Sequence, residues 1–322
     1  MWAFFFPGQG SQSPGMGKWL YEEFKVAKQT FEEASDALKI DLKKLCFEGP
    51  EDQLQKTENT QPAILATSIA YYRTLETLID LKPILAAGHS IGEYAALVSA
   101  GALPFDQAIS AVRERGLSMQ SAVPMGTGGM CALLNLEDSE VLEICQWATK
   151  ESGFGLIEAA NFNTPGQVVI SGFQKTLDWA QQNWPNYQGL GAGKKARWIP
   201  LKVSAPFHCS LMKPAEERMS LILGAISFNQ AKWPIIQNFT AIETSNADTL
   251  RTNLIKQISG TVRWTESVQK AVTLGVTRGL ELGHGQVIRG LNKKINSNLE
   301  MISLQNLDDL KNLEKLVKGS LE

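Results

Sequence analysis

The feature that most constrains the fold is a serine between two glycines, preceded by an apolar run and followed by a helical pattern. Residues 84–87 are apolar, residues 88–92 are Gly-His-Ser-Ile-Gly, and residues 94–100 are typical of a helix. This order is that of a nucleophile elbow, the sharp turn that carries a catalytic serine. Glycines permit the turn because a Cβ on either side would collide with the adjoining strand or helix. A plain turn is the alternative, and the flanking pattern favours Ser90 as a nucleophile.

Composition is that of a soluble globular protein with a sizeable core. The chain has 322 residues, of which 43% are hydrophobic and 20% charged, and its net charge is -2. These values indicate neither a nucleic acid nor an anionic membrane as a partner. The N-terminus has the pattern of a first strand and not of a secretory signal, so we expect a cytoplasmic protein. Without CxxC or metal-ligand spacing, we expect no metal site, and reduced, mostly buried thiols at Cys46, Cys131, Cys145 and Cys209.

The order of predicted elements indicates an α/β chain of two units. Residues 128–201 have the βαββαβ order of a small ferredoxin-like subdomain. Residues 1–127 and 202–322 would form a discontinuous large α/β-hydrolase-like domain with a parallel sheet. In the small unit the pattern predicts strands at 130–134, 156–160, 167–170 and 196–201 and helices at 138–150 and 173–183. In the large unit it predicts strands at 4–6, 235–237 and 279–282 and helices at 60–78, from 104, at 254–258 and from 266.

A serine hydroxyl needs a base within hydrogen-bond reach to act as a nucleophile, and the chain has three histidines. His89 adjoins Ser90, but neighbouring side chains at such a turn point apart. His284 lies between two glycines after a strand, where it faces either the cleft or solvent. His208 follows the return from the small unit. It is the favoured base, and a purely structural histidine is the alternative.

Six motifs occur in the order seen in malonyl-CoA:acyl carrier protein transacylases, and the chain resembles that family from about Phe4 to Asn292. The resemblance implies a ping-pong reaction in which Ser90 attacks the malonyl thioester and His208 transfers the proton. The pantetheine thiol of acyl carrier protein then accepts the malonyl group, without a cofactor, and we expect a monomer. The motifs are Gly-Gln-Gly-Ser-Gln at 8–12, Gly-His-Ser-Ile-Gly-Glu-Tyr at 88–94, Arg-Gly at 115–116, Asn-Phe-Asn-Thr-Pro-Gly-Gln at 161–167, Pro-Phe-His at 206–208 and Gln257.

A tetrahedral intermediate of acyl transfer needs two donors for its oxyanion. The backbone N–H of Ile91, directly after the nucleophile, would be one of them. The N–H of Gln9, in the glycine loop after the first strand, would be the other. A plain turn is the alternative for that loop.

Arg115 is the acyl-specificity residue by resemblance. A malonyl group ends in a carboxylate, which a guanidinium binds in a bidentate manner. From the residues alone, a salt bridge on a helix surface is the alternative, because Glu114 is adjacent. Met119 lies one turn further along the same helix face, where it lines the acyl pocket or belongs to the core.

The remaining assignments also come from the resemblance. Phe207 matches malonyl-selective members, and its ring would disfavour an α-methyl branch by about 1–3 kcal/mol. Gln257 matches a position whose backbone carbonyl orients the histidine, although a triad with an acid stays open. Asn163 matches a residue at the mouth of the site. The chain departs from the family at His284, where a proline is usual.

Two other functions use the same features. An acyl-thioester hydrolase would have the same elbow with water as the acceptor, but related hydrolytic proteins lack the arginine that matches Arg115. A scaffold that binds carrier protein would not need Ser90, His208 and Arg115 together. The residues do not distinguish a role in fatty-acid synthesis from one in polyketide synthesis.

Overall fold

A computed structural model describes residues 1–203 and 205–319 of the chain, which form two separate β-sheets surrounded by helices. The strands are β1 (Trp2–Phe6), β2 (Leu85–Gly88), β3 (Gly128–Leu134), β4 (Ile157–Thr164), β5 (Gln167–Phe173), β6 (Arg197–Pro200), β7 (Ile235–Ile236), β8 (Glu243–Thr244), β9 (Arg278–Glu281) and β10 (Glu300–Ser303). The α-helices are α1 (Lys18–Glu23), α2 (Lys25–Leu38), α3 (Leu42–Glu48), α4 (Glu51–Leu54), α5 (Thr57–Leu78), α6 (Gly92–Ser99), α7 (Phe105–Ser121), α8 (Asp138–Glu151), α9 (Gln174–Asn183), α10 (Lys213–Gly224), α11 (Ala247–Lys256), α12 (Trp264–Thr273), α13 (Val287–Ile295) and α14 (Leu307–Gly319).

The larger sheet has the strand order β10-β9-β1-β2-β7-β8. Its strands are parallel except for β8, which is antiparallel to β7. Phe4, Phe5 and Phe6 of β1 are at most 1% exposed, as expected for a central strand with helices on both faces. The predicted parallel sheet is therefore confirmed, with one antiparallel edge. Only a short connection separates β7 from β8, which suffices for an antiparallel neighbour but not for a crossover.

The smaller sheet is antiparallel, in the order β4-β5-β3-β6, and the helices α8 and α9 complete the predicted βαββαβ sequence. A hydrophobic cluster of its own includes Leu133, Val141, Ile144 and Leu177. β4 and β5 are longer than the predicted strands. The predicted domain limits, 1–127 with 202–322 and 128–201, remain a prediction.

One helix differs clearly from its prediction. The predicted helix 254–258 is instead α11, which begins at Ala247 and ends at Lys256. Its start is marked by Asn246, whose side chain accepts the Thr249 N–H as an N-cap. Gln257 is the first residue after the helix. Among the described residues, no helix has the length and hydropathy to cross a membrane, and Cys46, Cys131, Cys145 and Cys209 are free and buried.

Candidate active site

Ser90 lies in the turn between β2 and α6, with a φ of 51°. This left-handed conformation is uncommon for a residue with a side chain and costs about 1–3 kcal/mol. A Cβ on Gly88 would come within 2.0 Å of the Gly92 backbone, and one on Gly92 within 2.3 Å of the Phe6 carbonyl oxygen. Both glycines are therefore required by the close approach of β1, β2 and α6. The turn has the geometry of a nucleophile elbow.

Ser90 and His208 are in hydrogen-bond contact, with Oγ 2.7 Å from Nε2. On the other side of the ring, Nδ1 lies 2.8 Å from the backbone carbonyl oxygen of Gln257. A carbonyl oxygen can only accept, so Nδ1 carries the proton and Nε2 is free to accept the serine proton. Burial, followed by the charge of Arg115, lowers the pKa of His208 from 6.5 to about 3. The imidazole is therefore neutral near pH 7, as a general base must be.

Two residues beside the nucleophile have backbone N–H groups without an acceptor among the described residues. The Ile91 N–H precedes the first turn of α6, and Gln9 lies in the turn after β1. Within the part of the chain that the structure describes, neither N–H has a hydrogen-bond acceptor. Both residues line the same cavity as Ser90. Their free N–H groups are available to an oxyanion that forms there.

The cavity at Ser90 has a volume of about 150 Å³. It brings together every candidate site residue except Gln257, which lies behind His208. Its walls come from both units of the chain, so that the small sheet closes one side of it. The lining residues are Gln9, Gln61, His89, Ser90, Ile91, Arg115, Met119, Met130, Asn161, Asn163, Val169, Leu201, Val203, Phe207 and His208.

Arg115 is 1% exposed, which excludes the alternative of a surface salt bridge. Its neighbour Glu114 pairs instead with Arg218, at 3.7 Å. The Arg115 Nη2 atom donates to Ser90 Oγ at 3.2 Å and to Gln257 Oε1 at 2.9 Å, while Nε has no partner among the described residues. No carboxylate among the described residues forms an ion pair with the Arg115 guanidinium. A buried cation without a counterion in contact is costly, and a carboxylate bound in the cavity would reduce that cost.

Met119 and Phe207 complete the wall near Arg115. Met119 is buried, and its Sδ lies 3.8 Å from Nε2 of Gln61 on α5. Phe207, at 7% exposure, places its ring in the wall next to His208. The predicted acyl pocket thus has apolar side chains near Arg115, with the guanidinium as the charged group there.

The other two histidines lie away from the nucleophile hydroxyl. His89 Nε2 is 2.8 Å from Asn163 Oδ1, and its ring packs against Trp264 at 5.3 Å between centroids. Burial lowers the pKa of His89. His284 Nε2 is 2.8 Å from Ser13 Oγ, and His284 does not line the cavity. Asn163 therefore contacts the cavity and holds His89, while His284 belongs to a neighbouring loop.

Residues 3–315 match the acyl transferase domain family. The chain belongs to this family. It is 43% identical over 303 residues to the malonyl CoA-acyl carrier protein transacylase of Bacillus subtilis strain 168, an alignment that covers 94% of this chain and 92% of that protein. The protein of the same name from Escherichia coli K12 is 41% identical over 297 residues, which cover 91% and 92% of the two chains. The resemblance found in the motifs is confirmed.

Solved structures agree with the fold of this acyltransferase. An acyl carrier protein S-malonyltransferase from Vibrio cholerae superposes with a TM-score of 0.91 at 41% identity, covering 97% of this chain and 99% of that chain. A malonyl-transacylase in complex with a type II polyketide synthase acyl carrier protein superposes with a TM-score of 0.90 at 39% identity, covering 98% and 99%. The predicted α/β fold with a ferredoxin-like unit is confirmed.

Sequence reasoning missed two buried residues that shape the site of the acyltransferase. Asn238 Nδ2 donates to the Gly88 carbonyl at 2.7 Å, and Asn238 Oδ1 accepts the Ser90 N–H at 2.6 Å. Asn238 therefore fixes both sides of the elbow. Glu93 bonds to the Asn238 N–H at 2.9 Å. A signal for Asn238 existed, because it follows β7 at the carboxyl edge of a parallel sheet, where sites are usually built.

Proposed function

We propose that this acyltransferase moves a malonyl group from malonyl-CoA to the phosphopantetheine thiol of acyl carrier protein, through a malonyl-Ser90 intermediate. The observation that carries the proposal is the position of Arg115. Among the described residues, no carboxylate contacts its buried guanidinium directly, and the guanidinium lies 3.2 Å from the nucleophile oxygen. An acyl group with a terminal carboxylate fits this arrangement, whereas a neutral acyl group leaves the cation unpaired. The chain's similarity to malonyl CoA-acyl carrier protein transacylases supports the same substrates.

In the first half-reaction the Ser90 hydroxyl transfers its proton to His208 Nε2 while Oγ attacks the thioester carbonyl carbon. The resulting oxyanion accepts hydrogen bonds from the N–H groups of Gln9 and Ile91. Collapse of the tetrahedral intermediate breaks the C–S bond. The His208 imidazolium, oriented by the Gln257 carbonyl, returns the proton to the departing CoA sulfur.

The second half-reaction reverses these steps with a different thiol. The pantetheine thiol of the carrier protein gives its proton to His208, and its sulfur attacks the serine ester. Collapse then breaks the ester C–O bond, the His208 imidazolium returns the proton to Ser90 Oγ, and malonyl stays on the carrier. The sequence of steps needs no cofactor and would supply extender units for fatty-acid or polyketide synthesis in the cytoplasm.

In this proposal, malonyl selectivity depends on Arg115 and on two other wall residues. Arg115 would bind the terminal carboxylate, while Met119 and Phe207 would limit the width of the acyl group. Asn163 would keep His89 against the cavity and leave room for the thioester. Phe207 would disfavour an α-methyl branch by about 1–3 kcal/mol.

Intact-mass measurement after brief mixing with malonyl-CoA or acetyl-CoA tests the proposal. We expect one malonyl group on the wild-type protein, mapped to Ser90 by proteolysis, and little acetyl group. The Ser90→Ala variant should carry none. A malonyl adduct that persists in Ser90→Ala, or equal labelling by both donors, would refute it.

A further inference from the structure

We propose that Glu93 is a positioning residue for the acyl transfer, which holds Gln257 so that its backbone carbonyl stays on His208. The inference rests on the proposed function. Glu93 lies in the first turn of α6, directly behind the nucleophile, and is 0% exposed. The histidine of this site contacts a carbonyl and not a carboxylate. Glu93 would therefore supply the negative charge indirectly, through Gln257.

The contacts of the Glu93 carboxylate are all with neutral N–H donors. Its Oε2 atom accepts the Asn238 backbone N–H at 2.9 Å and Gln257 Nε2 at 3.0 Å, and Oε1 lies 3.3 Å from Gln237 Nε2. An ionised carboxylate only accepts, so this set of donors suits the charged form. Hydrogen bonds to an ionised acceptor are about twice as strong as neutral ones. The carboxylate thus anchors two chain segments, one after β7 and one after α11.

Gln257 uses every polar atom of its amide in this arrangement. Nε2 also donates to the Ser90 carbonyl at 3.0 Å, and Oε1 accepts from Arg115 Nη2 at 2.9 Å. The backbone carbonyl of the same residue contacts His208. One residue therefore joins the nucleophile turn, the base and the guanidinium. Without Glu93, the amide loses its anionic partner, and the carbonyl opposite His208 is less firmly held.

Asn238 gives the same carboxylate a second route to the nucleophile. Its backbone N–H is bound by Glu93, and its side chain fixes both sides of the Ser90 turn. Ser90 holds an unfavourable φ of 51°, which persists only when its surroundings enforce it. Glu93 thus supports both the residue that orients the base and the residue that holds the elbow.

The electrostatic surroundings give Glu93 a titration that can be measured. Burial raises the pKa of Glu93 from 4.5 to about 7, against the opposing effects of its N–H donors and of the Arg115 charge. Arg115 on α7 is the charged side chain that acts on it, and His208 lies beyond Gln257. Protonation converts one oxygen into a donor, which no longer matches the N–H groups around it.

Glu281 offers a matched control. It is also 0% exposed, and it accepts the Ile288 and Arg289 backbone N–H groups and the Ser303 hydroxyl. None of these partners lines the cavity at Ser90. Neutralising Glu281 therefore reports the general cost of removing a buried carboxylate.

The experiment compares Glu93→Gln with Glu281→Gln in steady-state transfer from malonyl-CoA to carrier protein. Because small misplacements of a catalytic group are costly, we expect kcat to fall about 10- to 100-fold in Glu93→Gln. The KM for malonyl-CoA should stay within about twofold, since the lost contact positions the reacting groups and does not bind substrate. Glu281→Gln should lose thermal stability and keep its kcat. Equal kcat values in folded Glu93→Gln and wild type would overturn the proposal.

A double-mutant cycle tests the route through Gln257. Gln257→Met keeps the backbone carbonyl and removes the amide that Glu93 holds. In that background, Glu93→Gln should reduce kcat by a smaller factor than in the wild type, because only the route through Asn238 remains and residues that act as a unit are not additive. Full additivity of the two changes would contradict positioning through Gln257.

The wild-type protein provides a measurement that needs no variant. Its acylation rate should fall as the pH drops through about 7, while circular dichroism shows the fold intact. A rate that stays constant across the pH range in which protonation of Glu93 is itself observed would overturn the proposal, even if Glu93→Gln failed to fold. Failure of the proposed function looks different, because the wild-type protein would then form no malonyl adduct at any pH.

Discussion

Replacement of Arg115 by methionine should abolish the preference for malonyl-CoA over acetyl-CoA. Methionine approximates the length of the side chain but removes the charge. In the variant, the malonyl carboxylate would enter a cavity of about 150 Å³ without a counterion. Loss of one partner from a buried, hydrogen-bonded charge pair costs about 2–5 kcal/mol, which corresponds to about 30- to 5,000-fold in rate.

The assay is a competition between malonyl-CoA and acetyl-CoA, read as the ratio of their kcat/KM values. This ratio isolates the carboxylate contact, because the 3.2 Å contact between Arg115 and Ser90 affects both donors. Arg113→Met is the matched control, since Arg113 lies on the same helix and bonds to Asn59 and to the Glu58 carbonyl, outside the cavity. We expect the ratio to fall at least about 30-fold in Arg115→Met and to stay unchanged in Arg113→Met. An unchanged ratio in Arg115→Met would refute the carboxylate-binding role.

Three further predictions concern the pocket, the elbow and the buried acid. Phe207→Ala should raise the relative kcat/KM for methylmalonyl-CoA about 10- to 100-fold in a competition assay, because it removes the ring that limits the branch. Gly88→Ala should destabilise the protein by about 1–3 kcal/mol or more in urea unfolding, since its Cβ would lie 2.0 Å from backbone atoms. The control Gly224→Ala, which has open space around the new Cβ, should not destabilise it. The folded pKa of Glu93, about 7, exceeds its ordinary 4.5. The wild type should therefore lose stability relative to Glu93→Gln as pH rises between these values, by up to about 1.4 kcal/mol per unit, and a constant difference would contradict the raised pKa.

The centre of the fold was predictable because its constraints are local. An apolar run, two glycines around Ser90 and a following helix specify β2, the turn and α6, and the glycine contacts show why no larger residue fits. The βαββαβ unit was predictable for the same reason, from periodicity within short segments. The strand β8, of only two residues, carries no periodic pattern and was missed.

The contacts of the supporting residues could not be predicted because they join distant segments. Glu93 and Asn238 are 145 positions apart, and nothing near either residue indicates the other. The burial of Arg115 was equally hidden, since Arg113, Glu114 and Arg115 form one charged run on α7. Packing decides which of them faces inward. The resemblance to the family supplied the role proposed for Arg115, and local chemistry alone left a surface salt bridge open.

The most direct test of the proposed transfer follows the malonyl group after it reaches Ser90. The malonyl-enzyme is freed of excess malonyl-CoA and divided between buffer alone and buffer with phosphopantetheinylated carrier protein, and both are followed by intact mass. We expect the adduct to persist in buffer and to move to the carrier when it is present. Decay to free malonate at the same rate in both samples would contradict the transferase and assign the chain to the acyl-thioester hydrolases.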